Sequence, residues 1–226
     1  MLRLLVVLSG IALGAWGAFI DLPAQDFSLG VGDGPEATLT FAPFDDLNGA
    51  RRLAAVTLSL DAALGAAATA ENLSDQPNTL TLRLLDGRVL ASAPGSLAAD
   101  AVFSFAPVAA AVAPADGTPG SGPDYHDFGT VSAAPSTVNA TLTSNLSGFM
   151  GPDAVPVVLD AGGIFFVSGT ADHTYTTNVT ATGSAALRYT YDVVPTPEPS
   201  GVLLLWLGAL LVLWHRQPRR EAVPAV

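Results

Sequence analysis

The sequence contains no cysteine, and its 226 residues include only three tryptophans. Without cysteine the chain cannot form a disulfide scaffold or a thiolate metal centre, so the core alone must stabilise the fold. All nine basic residues are arginines, against 20 acidic residues, which gives a formal net charge of −11. Such a charge disfavours binding to nucleic acid or anionic membranes, and it suits a solubilising surface, a divalent cation or a cationic partner.

The C-terminal part of the sequence combines three features in a fixed order. The first is a set of alternate prolines, which favour an extended, exposed segment: Pro195, Pro197 and Pro199. An uncharged run over 201–214 then predicts a transmembrane helix of about 21 Å, shorter than a hydrocarbon core of roughly 30 Å. The last feature is a cluster of arginines, which places the short tail 221–226 in the cytoplasm: Arg216, Arg219 and Arg220.

This order of features resembles the PEP-CTERM sorting signal of exported bacterial proteins. The tripeptide is Pro197, Glu198 and Pro199, and the resemblance covers residues 194–220. It implies an exosortase-like processing enzyme, a transient stay in the inner membrane, and a final location at the cell surface or in the extracellular matrix. A GPI anchor is the alternative explanation, but its apolar tail should end the chain.

The N-terminal residues have the three parts of a secretory signal peptide. Arg3 supplies the positive charge, residues 4–13 form the apolar segment, and a small-residue motif ends at Gly17. We expect cleavage after Gly17, with Ala24 as the second choice. The sequence therefore predicts a signal peptide over 1–17 and an exported mature protein.

Residues 18–193 between these segments suffice for one domain that buries roughly 70% of its unfolded surface. Of the 20 acidic and 9 basic residues in the chain, two acidic and four basic ones belong to the terminal segments. The domain thus keeps 18 acidic and 5 basic residues, a net charge near −13.

Apolar residues alternate with polar ones along this domain, which predicts short half-buried strands. The predicted strands include 38–41, 56–60, 80–84, 103–105, 138–142, 155–159, 164–169, 175–182 and 185–194. Short strands without intervening helical patterns indicate an all-β fold, an antiparallel, jelly-roll-like β-sandwich.

Turn signals separate several of these segments. Glycine-containing turns are predicted at 86–87, 162–163 and 182–184, the last two within hairpins. The alanine-rich stretch 62–71 could be helical, but Gly65 and the preceding strand favour a strand or bend. The stretch 109–122 is predicted to be a mobile surface loop, and the stretch 21–35 is predicted to be a loosely held segment.

The domain also resembles the choice-of-anchor E domain, a β-rich domain of bacterial surface proteins. The matching stretches are 41–64, 68–87 and 184–200. The family has no established activity, so the resemblance implies an anchored extracellular β-domain and no particular chemistry.

Candidate catalytic residues are few. His126 with Asp124 or Asp127 could serve a Ser/His/Asp hydrolase, but no G-x-S-x-G motif is present. Zinc is disfavoured as well, since neither H-E-x-x-H nor a cysteine pair occurs. We therefore expect a non-enzymatic protein, with a secreted hydrolase as the second alternative.

Calcium is the better metal hypothesis, because extracellular modules bind it through loop oxygens. Asp116, Asp124 and Asp127 lie in a stretch rich in glycine and proline, and Asp45 with Asp46 follows a strand. Neither set matches the D-x-[DN]-x-[DN]-G loop, so solvated loop carboxylates are the simpler interpretation.

Polysaccharide binding would require an exposed aromatic platform. The tryptophans all belong to the terminal segments, which leaves four tyrosines: Tyr125, Tyr175, Tyr189 and Tyr191. Because Tyr189 and Tyr191 share a strand face with Leu187, we expect them to pack rather than to bind sugar. The sequence thus predicts an exported, non-enzymatic surface or matrix protein, with a polysaccharide- or Ca-binding module as the first alternative.

Overall fold

Residues 17–31 and 36–194, together with Gly208, are the part of the chain that the computed structural model describes. The predicted signal peptide, apart from Gly17, and nearly all of the C-terminal sorting region lie outside it. The chain divides into two compact units, residues 1–193 and 194–226, and the strands belong to the first. Within the described ranges, no helix has the length and apolarity needed to cross a membrane.

The described residues form eleven strands and two short 3-10 helices, Pro94–Ser96 and Leu146–Phe149. The strands are β1 (Ala18–Asp21), β2 (Gln25–Gly30), β3 (Glu36–Phe41), β4 (Arg51–Asn72), β5 (Asn78–Ala93), β6 (Leu97–Val102), β7 (Val108–Val112), β8 (Tyr125–Ser132), β9 (Ser136–Leu142), β10 (Val155–Ser168) and β11 (His173–Val193). They make two antiparallel sheets, which confirms the predicted all-β, sandwich-like fold.

The first sheet is built on β4 and β11, which pair along nearly their whole lengths. Its two edges each consist of two short strands in succession: β1 and β2 flank β11, while β8 and β9 flank β4. The second sheet has the order β3, β10, β5, and then β6 and β7 in succession along β5. Every long strand is therefore paired on both sides.

Alternating burial along β4 shows which of its residues face the core. Every second residue from Val56 to Ala70 is buried, and these side chains are leucine, valine and alanine, whereas the residues between them are more exposed. A register shift between Thr190 and Tyr191 of β11 leaves Ala54 of β4 as an extra residue. This bulge resets the alternation, so that Leu53 and Val56 both face the core.

Three predicted glycine turns are wrong, because these glycines lie inside paired strands. Gly162 and Gly163 lie in β10, where the register with β5 shifts between Gly162 and Ile164. Opposite them in β5, Asp86 has a φ of 52°, and a Cβ added at Gly163 would lie 2.9 Å from Gly87 Cα. The glycines form a bulge at which the two backbones approach closely.

Gly183 has a related role in β11. The expected hairpin at 182–184 does not exist, since β11 continues from His173 to Val193. A Cβ added at Gly183 would collide with the Asp61 backbone oxygen and lie 2.9 Å from Ala62 Cα. Only glycine allows β4 and β11 to approach this closely.

Of the remaining predictions about secondary structure, some are confirmed and others are wrong. The stretch 62–71 is a strand, as predicted, whereas 103–105 is not, because β6 ends at Val102. The predicted loop 109–122 begins as strand β7, and the loosely held segment 21–35 contains strand β2 with buried Phe27 and Leu29. Both stretches are rich in residues that are depleted in strands, such as glycine, proline, aspartate and alanine, so their composition concealed strands that pair at a sheet edge.

Candidate functional site

Three connections meet at one end of the two sheets. They are the turn 73–77 between β4 and β5, the loop 113–124 between β7 and β8, and the loop 169–172 between β10 and β11. We call them the loop cluster. Backbone hydrogen bonds join them, since Ala115 N donates to Ser74 O at 2.8 Å and Leu73 N donates to Asp172 O at 2.9 Å. The antiparallel order of the strands places all three connections at this end.

Two buried asparagines hold the loop cluster together. Asn72, the last residue of β4, donates from Nδ2 to Gln76 O at 2.8 Å and to Ala113 O at 2.7 Å. Its Oδ1 accepts hydrogen bonds from Ser74 N and from Asn78 Nδ2. All four bonding positions of this side chain are thus used, as expected for a buried amide.

Asn78, the first residue of β5, connects to the third loop. Its Oδ1 accepts from both the amide and the hydroxyl of Thr170, at 2.7 and 2.8 Å, and its Nδ2 donates to Ala171 O. The ring nitrogens of His173 lie 2.9 Å from Ala171 O and 3.0 Å from Val167 O. Neither asparagine was singled out from the sequence as a site residue, because the bonds of Asn72 to Ala113 and of Asn78 to the third loop join residues that are close only in space.

The loop 113–124 is fixed by glycines and carboxylates. Gly117, Gly120 and Gly122 have φ values of 80°, 74° and 97°, which a residue with a Cβ adopts only with strain. Glu71 Oε2 accepts from Gly120 N at 2.9 Å, and Asp116 Oδ1 accepts from Thr118 N at 2.7 Å. The loop that the sequence predicted to be mobile therefore has specific anchoring contacts.

Asp124 is the buried acid of this loop, with 1% of its surface exposed. Its Oδ2 accepts from Asp116 N at 2.9 Å, and its backbone oxygen accepts from Asn72 N at 2.9 Å. Among the described residues, no donor reaches its Oδ1. A Cβ added at Gly122 would collide with Asp116 Oδ2 and lie 2.9 Å from Asp124 Oδ1, so both oxygens border the same small space.

The structure brings together two of the three predicted calcium ligands. Asp127 lies in β8 with an exposed side chain, and its Oδ1 accepts from Gly129 N at 2.7 Å. Within 17–31 and 36–194, no group of three His, Cys, Asp or Glu side chains is arranged to hold a metal ion. The structure thus connects Asp116 with Asp124, while Asp127 stays a predicted ligand that lies on β8.

The predicted partners of His126 are engaged elsewhere. Its ring packs edge-on against Phe128, with the centroids 4.6 Å apart. Asp124 and Asp127 accept backbone hydrogen bonds from Asp116 and Gly129, and no bond joins either of them to His126 in the described residues. The geometry of a Ser/His/Asp triad is not present there.

Asp45 and Asp46 shape a turn after β3. Asp45 Oδ1 accepts from Leu47 N at 2.9 Å, and Asp46 Oδ1 accepts from Asn48 N at 3.0 Å. Leu47 and Asn48 both have positive φ values, 51° and 57°. These carboxylates therefore stabilise a strained turn.

The tyrosines divide between core and surface. Tyr189 and Tyr191 are buried, which confirms that they pack. The Tyr189 hydroxyl donates to Ala42 O at 2.8 Å, and burial raises its pKa to about 12. Tyr125 is half-buried, and Tyr175 is exposed beside the His173 ring at a centroid distance of 6.3 Å.

The sorting residues lie outside the described residues: Pro197, Glu198, Pro199, Arg216, Arg219 and Arg220.

No protein-family model matches the chain, and no curated protein matches it. Among solved structures, it is similar to one titled "Structure of infectious bursal disease virus Gx strain", with 10% sequence identity and a TM-score of 0.25. The match covers 89% of this chain and 50% of the other, so the chain spans about half the length of that neighbour. At this TM-score the likeness supports no conclusion about function.

Proposed function

We propose that this chain is an exported, non-enzymatic protein of the cell surface or extracellular matrix. Its N-terminal signal peptide directs export, and its C-terminal PEP motif, helix and arginine cluster direct sorting. In this proposal, an exosortase-like enzyme removes the helix after a transient stay in the inner membrane. The β-domain is the part that remains outside the cell.

The end of the β-domain is the structural observation that supports this proposal. The first compact unit ends at Val193, which is also the last residue of β11. Pro195 follows two residues later and begins the alternating prolines. A processing enzyme could therefore act on this segment without disrupting a strand of the domain.

We further propose that the sandwich has the jelly-roll connectivity expected from the sequence. The strand order supports this: β1 and β2, β11, β4, then β8 and β9 in one sheet, and β3, β10, β5, then β6 and β7 in the other. The chain thus crosses repeatedly between the sheets, as in two Greek keys. Jelly rolls occur in capsid and lectin domains, so the connectivity alone assigns no activity.

Processing in the native host tests the sorting proposal. The double variant Pro197→Ala/Pro199→Ala should accumulate uncleaved in the inner membrane, because the motif no longer presents the segment to the enzyme. Pro195→Ala is the matched control, since it removes a proline from the same segment but keeps the tripeptide intact. Membrane fractionation and intact mass spectrometry measure the outcome, and release of the double variant at normal size and rate would contradict the proposal.

A further inference from the structure

One oxygen of the Asp124 side chain is buried without a hydrogen-bond partner among the described residues. Its side chain is almost fully buried, and Oδ1 has no hydrogen-bond donor within the described part of the chain. Burying a carboxylate oxygen without a partner is unfavourable, and most buried polar atoms in proteins are satisfied. A charged or hydrogen-bonding group at this position would remove that cost.

A second carboxylate faces the same space. Asp116 Oδ2 and Asp124 Oδ1 both border the position where a Cβ of Gly122 would lie. The remaining oxygens of the two side chains accept backbone hydrogen bonds, from Thr118 N and Asp116 N respectively. Each aspartate is therefore oriented by one oxygen, and its other oxygen borders the space beside Gly122.

No arginine neutralises this pair in the described ranges. The two salt bridges there join Arg88 to Asp100 and Arg188 to Asp21, on other strands. Two carboxylate oxygens that border one small space without a cation repel each other. The arrangement is thus electrostatically incomplete.

We propose that Asp116 and Asp124 bind a Ca²⁺ ion, with backbone carbonyls of the loop 113–124 and water as further ligands. The available side-chain donors are carboxylate oxygens, which suit a hard cation. Asp116 is exposed, so one side of the site is open to water. Ca²⁺ accepts irregular coordination by six to eight oxygens, whereas Mg²⁺ requires a near-ideal octahedron.

Gly122 is a structural requirement of this site. Its φ of 97° and the two neighbouring carboxylate oxygens leave no room for a Cβ. The site does not depend on the sorting proposal, because it rests on the geometry of one loop. It can therefore fail while the sorting proposal holds, and the reverse is equally true.

The experiment uses the full chain, purified in a mild detergent, with CaCl₂ or MgCl₂ as the probe. Isothermal titration calorimetry measures the affinity for each cation, and far-ultraviolet circular dichroism measures the melting temperature of the protein. For a weak extracellular site with a dissociation constant of about 10⁻³ M, a Ca²⁺ concentration about ten times that constant should raise the melting temperature by about 3–5 °C. Mg²⁺ at equal ionic strength should have a much smaller effect, which controls for screening.

Two single substitutions test the proposed ligands, and a third is their control. Asp124→Asn and Asp116→Asn should each abolish the Ca²⁺-specific shift. Asp127→Asn is the matched control, because it removes the same charge from a nearby exposed carboxylate outside the pair, and it should leave the shift intact. If Asp124→Asn does not fold, Asp116→Asn decides, since that side chain is exposed.

Two results would overturn the proposal. One is a wild-type protein that responds equally to Ca²⁺ and Mg²⁺, since the carboxylates would then only be screened. The other is an equal loss in Asp127→Asn and Asp116→Asn, because binding would then follow net charge and not the geometry of this pair.

Discussion

Ionisation of Tyr189 provides a direct test of the core, because the phenol is buried between the sheets. Only 1% of its surface is exposed, and the hydroxyl donates to Ala42 O. The rings of Phe44 and Phe149 contact it edge-on, at centroid distances of 5.7 and 6.5 Å. Burial disfavours the phenolate and raises the Tyr189 pKa from 10.0 to about 12.

The raised pKa of Tyr189 determines how the stability of the fold changes with pH. Because the pKa is higher in the folded than in the unfolded state, the protonated phenol contributes stability that is fully present below pH 10. That stability is lost as the pH rises through the folded pKa of about 12. Two pKa units correspond to about 3 kcal/mol of unfolding free energy, or roughly 5–10 °C in melting temperature for a domain of this size.

Alkaline melting curves of Tyr189→Phe measure this contribution. Phenylalanine cannot ionise, so this variant should lose less stability between pH 10 and 12 than the wild type. At pH 7 it should be less stable by about 1 kcal/mol, since the hydrogen bond to Ala42 is removed. Tyr175→Phe is the control, because Tyr175 is 43% exposed. Equal alkaline losses in the wild type and Tyr189→Phe would refute the reasoning.

Gly183→Ala should destabilise the fold by about 1–3 kcal/mol, because its Cβ would press on the Asp61 backbone; urea unfolding measures this. Gly30→Ala, with open space at its Cβ, is the control, and equal stability of the two variants would contradict the close approach of β4 and β11. Asn78→Ala removes four hydrogen bonds and should cost about 2 kcal/mol or more. Hydrogen exchange should then be faster at the Thr170 amide, and unchanged exchange would argue against the asparagine network.

The strands could be predicted from the sequence because half-buried strands impose a local alternation. Along β4 the alternation persists through 62–71 even though the residues change from leucine to alanine. Glycine carries no such information, because turns, bulges and close backbone contacts all require it. Gly183 therefore suggested a hairpin, and only the pairing with Ala62 reveals that it serves strand contact.

The candidate site was predictable only in part. Acids on a glycine-rich loop pointed to Asp116 and Asp124, which the fold connects, whereas Asp127 lies in the following strand β8. Asn72 and Asn78 flank a short polar turn, and that spacing was the one available sequence signal. Their bonds to the other two loops depend on tertiary structure, which no local pattern encodes.

The position of β11 relates the fold to the proposed anchoring. This strand lies inside its sheet, paired with β4 from His173↔Asn72 to Val193↔Arg51 and with β1 and β2 on its other side. If the segment after Val193 connects the domain to a membrane or a matrix, force enters the domain through this strand. Because β11 is paired on both sides, extracting it requires many ladder hydrogen bonds to break together, whereas a short edge strand would detach more easily. An anchored domain benefits from this arrangement, since load at its C-terminus acts on a long strand in the interior of a sheet and not on a short edge strand.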